Sequence, residues 1–365
     1  VHSVSLWPLA RQYPRVIRLP EVTANRAWFT PEGENFVIGS EDGTVKVWPL
    51  EGDADEDPRV LYSAAGGWEA PLSGAVAPDG SFAAIGTYGG TVQVLPLDGS
   101  PARELAGPAD LVRCIAVDPH SRFVAVGLGG SIRPTTPLRV WDIESDEVRV
   151  LDPGDDFGIF TCHFTETGDL LVDNGPFVRR WSLEGEEPRL IDQVDVSGPE
   201  RLTFTLHGSR ENGREILVRR QGRLLMIDME SGTTRELSSH GHLVYNAMLD
   251  PTGTTVISAD RKGVIRVGPV NGEEPHLLLG HDSKPSGIDL SPDGRWIASC
   301  SGSDEIRLWP MPDLDRPPLH TLPREELIAK LEALTNFRVV RDSESTTGWE
   351  LEVGPFPGWE TVPTW

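Results

Sequence analysis

Residues 286–310 read SGIDLSPDGRWIASCSGSDEIRLWP. Three short apolar runs, SGIDL, WIASC and IRLW, are separated by SPDG and SGSD, and a fourth run, PLHTL, follows at 318–322. Pro and Asp open tight turns, and Gly accepts the positive φ that closes them. The stretch therefore reads as strand, turn, strand, turn, strand, with a fourth strand after a short linker. Four strands cannot bury both faces of their own sheet, so the unit needs copies of itself beside it.

Copies are present. Strands closing on Trp, or on a substitute for it, end at Trp7, Trp48, Leu95, Trp141, Trp181, Ile227, Gly268 and Trp309, with spacings of 41, 47, 46, 40, 46, 41 and 41 residues. The run into a turn recurs as AWFTPEG at 27, AVAPDG at 75, AVDPHS at 116, HFTETGD at 163, MLDPTG at 248 and DLSPDG at 289, while the fifth unit offers only FTLHGS at 204. Four strands at this period stack radially as the blades of an all-β propeller.

Over residues 1–322 the units resemble the WD40 family. The family's Gly-His pair appears as Gly241-His242 and Gly280-His281. The resemblance implies a buried structural network of His281, Asp304, Ser299 and Trp309 in the last unit. It implies His242 with Ser258 in the sixth, where Gly268 replaces Trp. The first unit keeps Asp42, Ser40 and Trp48 without the His, and the fifth has lost almost all of the pattern.

Closers from Trp48 to Trp309 define seven complete four-stranded units over residues 21–322. Residues 1–20 are left with VSLW as an orphan c strand and RVIRL as an orphan d strand. PREELIAKLEALTN at 323–336 is predicted to be a short helix, with Pro323 in its first turn and Leu327, Ile328, Leu331 and Leu334 as its apolar stripe. FRVVR and WELEV, within 337–354, then supply strands a and b. The expectation is a single domain over 1–365 with eight blades, one of them split between the two ends of the chain, and with residues 355–365 as an aromatic and Pro-rich clamp. The alternative has seven blades, with RVIRL completing the last one and the tail packed outside.

Fifty-six acidic against 33 basic residues leave a formal charge of -23, which opposes binding to nucleic acid or to an anionic membrane. The three scattered cysteines form neither a disulfide framework nor a CxxC metal site, so a reducing, cytoplasmic setting is expected. No cofactor and no metal are expected. The chain opens on Val, and from LTNFRVVRD at 334 onward it resembles the C-terminus of long bacterial multidomain proteins, myxobacterial ones among them. In those, a WD40 array follows a kinase, an NTPase or a protease-like domain. A longer parent polypeptide is the expectation.

Candidate chemistry dissolves on inspection. His240 and His242 in HGH have no third ligand close in sequence. His163 and Cys162 alternate along a strand and face opposite ways. Asp155 and Asp156 stand without the other parts of a kinase site, and GLGGSIRP at 127–134 lacks the Lys-Ser/Thr of a phosphate loop. The chain is expected to be no enzyme. It is expected instead to bind a protein or peptide, within its own polypeptide or outside it, or to sense a ligand, and so regulate an N-terminal effector. The alternative is a structural cap of a longer array, with a propeller-class enzyme a distant third. The position six residues before each turn Pro, or its equivalent, gives Asn25, Leu72, Arg113, Phe160, Arg201, Tyr245 and Ser286. In the family this ring lies on the narrower top face where partners dock, and its aromatic and Arg content suits an interface. Trp68 and Tyr88 are candidates to join it.

Overall fold

The computed structural model describes residues 15–18, 24–50, 58–105, 110–129, 138–152, 158–185, 187–195, 204–301, 305–327, 337–341 and 349–353. Twenty-eight of its strands form seven antiparallel sheets of four. Blade 1 consists of Ala24–Phe29, Asn35–Ser40, Thr44–Pro49 and Arg59–Ser63 as strands a to d. Blades 2 to 6 repeat that order, with a strands at Pro71–Val76, Val112–Val117, Thr161–Phe164, Phe204–Arg210 and Val244–Leu249. Blade 7 takes a, b and c from Gly287–Leu290, Trp296–Cys300 and Glu305–Pro310. Its d strand is Arg15–Arg18, which runs antiparallel to c with Val16 opposite Arg307.

The expected eighth blade does not form. RVIRL closes blade 7, which is the seven-blade alternative. The runs Phe337–Arg341 and Trp349–Val353 form a separate two-stranded hairpin. The core gives the reason. Seven buried clusters each join two neighbouring blades, from Val37, Val45 and Ile85 between blades 1 and 2 to Ile17, Phe36 and Ile306 between blades 7 and 1. The seven clusters close the ring through all seven blade-to-blade interfaces, so the described blades leave no open interface for another. Of the expected helix, residues 324–327 form one turn, with Leu327 N–H donating to the Pro323 carbonyl. Residues 328–336, the orphan VSLW, and the clamp at 355–365 lie outside the described residues.

One turn sets the phase of every blade. In SPDG, Gly294 N–H donates to the Ser291 carbonyl and Gly294 has φ +70°. Hydrogen bonds from Ser291 and from Arg295, together with its ion pair to Arg295, hold the Asp293 carboxyl down at about 2. The same i to i+3 bond starts at Thr30, Ala77, Asp118, Thr165, Arg210 and Asp250. The fifth turn is therefore RENG at 210–213, where Glu211 and Asn212 adopt φ +51° and +55°, and not FTLHGS.

Counting from these turns relocates part of the expected network. In blade 7, Trp309 Nε1–H donates to Ser299 Oγ at 2.8 Å, and Ser299 Oγ lies 2.6 Å from His281 Nε2. Asp304 lies outside the described residues. In blade 6 the partner of Ser258 is His240, at 2.8 Å, while His242 is exposed. His240 precedes Ser258 by 18 residues, as His281 precedes Ser299, so phase governs where the Gly-His pair misleads. In blade 1 the place of Ser299 falls to Ile38. Trp48 Nε1 accordingly has no partner among the described residues. Exposed Asp42 accepts only from Thr44, within its own turn.

Candidate rim and central channel

Four of the seven a strands bulge at the same point. The a–b ladder skips one residue between Ala24 and Arg26, between Pro71 and Ser73, between Val112 and Cys114, and between Val244 and Asn246. The extra residues are Asn25, Leu72, Arg113 and Tyr245, four of the seven expected rim positions. A bulge re-aims the side chain it carries, and all four sit where strand a begins, at one end of the ring. Phe160 and Ser286 occupy the same position without a bulge and are bonded through their N–H groups to Asp173 and Cys300. Arg201 lies outside the described residues. Counting from the true fifth turn puts Thr205 in its place, where Thr205 Oγ1 accepts from Arg219 at 2.9 Å.

Cations and rings pair along this rim. The Arg113 guanidinium stacks 5.2 Å from the Phe160 ring centre while its Nε–H donates to the Gly129 carbonyl at 2.9 Å. Lys284 Nζ stands 4.4 Å from the Tyr245 ring centre. Trp68 sits in a one-turn 3-10 helix, Gly67–Glu69, just before strand a of blade 2. Its carbonyl accepts from Gly89 at 2.6 Å, and Tyr88 N–H reaches the Ala70 carbonyl at 3.3 Å. The backbone is thus fixed while the Trp68 side chain is 76% exposed and Tyr88 37% exposed. An indole held rigidly in water loses little entropy on meeting a partner.

Inside the rim, the inner strands of blades 1 to 6 wall a cavity of about 240 Å³, with Arg26, Trp28, Arg113, Ile115, His163 and His207 among its lining. Cys162 lines it as well; its Sγ also points to the Ala125 carbonyl of blade 3. Burial pushes the His163 imidazole down to about 4. Burial, then the charges of Arg219 and Arg26, push His207 down to about 3. Sequence reasoning missed His207. It is the residue skipped in the blade 5 ladder, between Leu206 and Gly208, two residues deeper than the bulges of the other blades. Two buried carboxyls stitch neighbouring blades together. Asp173 accepts from Thr161 Oγ1 and from Leu206 N–H, and Asp289 from Phe29 N–H. Burial raises both to about 7.

The WD domain, G-beta repeat family model matches residues 21–49 and 272–310, which cover strands a to c of blade 1 and of blade 7. The chain is a seven-bladed β-propeller, and its blades 1 and 7 are similar to WD40 repeats. No curated protein matches the sequence. WD40 propellers typically bind proteins or peptides and are generally non-catalytic. No group of three or more potential metal ligands occurs among the described residues of this propeller. No helix among them is long and apolar enough to cross a membrane.

Proposed function

We propose that this propeller is a non-catalytic interaction module whose rim binds a protein or peptide, and that through this contact it regulates an effector, within its own polypeptide or outside it. The observation that carries the reading is the repeated bulge, which sets Asn25, Leu72, Arg113 and Tyr245 as the extra residue at the same end of four different blades. Trp68 and Tyr88 add aromatic surface beside them. Aromatic and Arg side chains on a rigid frame are the types that dominate binding energy at interfaces. The acidic whole opposes polyanions, whereas Arg113 and Lys284, each set against a ring, favour an acidic or aromatic segment.

The test replaces Trp68 and Tyr245 by Ala together. Partner capture from the source cells, followed by titration of the captured protein, is expected to show affinity falling tenfold or more, a loss of about 1.4 kcal/mol. The melting temperature should stay nearly fixed, because Trp68 is largely in water. Unchanged affinity would place the interface elsewhere. A propeller that retains no partner at all would favour a structural role in a longer array.

A further inference from the structure

The central cavity has a charge opposite to that of the chain around it. Fifty-six acidic residues outnumber 33 basic ones overall, yet among the described residues the charged side chains on the cavity wall are Arg26 and Arg113, and no carboxylate lines it. Of the nearby carboxyls, Asp173 accepts from Leu206 N–H and Thr161 through Oδ2 alone, its Oδ1 having no partner among the described residues, and Asp289 accepts from Phe29 N–H; both are raised to about 7, which weakens their negative charge. Low-dielectric walls around charges of one sign focus their field into the space between them.

The polar groups there are also set for a visitor. Arg113 is held by Gly129 through Nε and by the face of Phe160, which fixes the direction of its guanidinium fork. Arg26 crosses to the Ser286 carbonyl of blade 7, so its charge is anchored within the channel. His207 donates to the Ala247 backbone carbonyl, so its buried Nε2 is an acceptor with no partner among the described residues, one that only a donor on the visitor, such as a hydroxyl, would satisfy. A buried ring nitrogen left in this state costs free energy unless something pairs with it. Trp28 and Ile115 complete the wall with apolar surface. A volume of about 240 Å³ is below the range of drug-sized pockets but takes a small metabolite.

We propose that the channel binds a small organic acid, its carboxylate paired with Arg26 and Arg113 beside His207, and its body against Trp28 and Ile115. Guanidinium and carboxylate match as a two-bond fork. The site shares Arg113 with the rim, uses otherwise the inner walls of the ring, and goes beyond the rim reading. Either can fail without the other.

The experiment titrates the full chain with acetate, benzoate and inorganic phosphate, with benzamide as the uncharged analogue of benzoate, and follows the imidazole resonances by NMR. Benzoate is expected to bind at least tenfold more tightly than benzamide and to shift the His163 and His207 signals saturably. Phosphate binding as tightly as benzoate would overturn the organic-acid assignment. Arg113→Met, at an exposed position, is expected to weaken benzoate tenfold or more at unchanged melting temperature, and Arg26→Met to do the same if it folds. The Trp68→Ala, Tyr245→Ala pair should leave benzoate binding unchanged, which separates this site from the rim. Equal binding of benzoate and benzamide, no saturable shift with any of the three anions, or full affinity in Arg113→Met would overturn the proposal.

Discussion

Ser299 serves two rings with one hydroxyl. Because Trp309 Nε1–H can only donate, Ser299 Oγ must accept from it and pass its own hydrogen to His281 Nε2, which therefore stays neutral. Burial, and next the charge of Arg307, hold that imidazole down at about 4, in keeping with an acceptor role. Trp48 occupies the same place in blade 1 with its N–H unpartnered among the described residues. Trp309→Phe is thus expected to cost about 1 kcal/mol by removing one of the two hydrogen bonds of a buried hydroxyl, whereas Trp48→Phe should be neutral or stabilising. Denaturant unfolding of the two variants checks the contrast, and equal costs would mean that the hydrogen bond contributes nothing. His240→Ala should likewise destabilise, while exposed His242→Ala should stay within about 0.5 kcal/mol of the parent. Phase made His240 readable from sequence, since it lies ten residues before the turn residue Asp250, as His281 does before Ser291. The Gly-His pair drew attention to the wrong ring.

At the level of elements, strand Arg15–Arg18 fastens the ring. It covers the outer edge of Glu305–Pro310 and places Ile17 in the cluster between blades 7 and 1. Deleting residues 1–18 should expose that edge and lower the melting temperature by many degrees or make the protein aggregate. Deleting 337–365 removes a hairpin whose strands pair only with each other, and leaves all seven blades hydrogen-bonded. That variant is expected to remain folded, with the smaller loss. Thermal melts of both truncations give the order, and the reverse order would return the tail to the ring. The strands themselves were legible, because WIASC and IRLW alternate between turn signals. The bulges were not. Nothing in Leu72 or Tyr245 marks an extra residue, since a skipped pair is a property of two strands and their twist and not of either strand alone.

For the whole molecule, acid is the sensitive direction. His163, His207, His240 and His281 are held at about 4, 3, 4 and 4, below the ordinary value of about 6.5 in an unfolded chain. As pH falls through about 6.5 the unfolded chain binds these protons first, so stability is lost progressively down to about 4. Asp173 and Asp289, raised to about 7, act in the opposite sense, since the folded protein holds their protons before the unfolded chain does. Four sites against two leave a net loss, on the order of 3 kcal/mol per pH unit between about pH 6 and 4. Denaturant titrations across that window measure it, and a flat profile would show that the imidazoles are not held neutral. The sequence by itself determined the propeller, its four-strand unit and its turns, because PDG-type turns and apolar alternation are local and their period is visible along the chain. Blade number and the charge of the channel were decided only by the tertiary structure. Ring closure depends on how much each blade rotates from the next and on which apolar faces are left uncovered. Arg26, Arg113 and His207 are neighbours only once strands far apart in the chain converge on one axis.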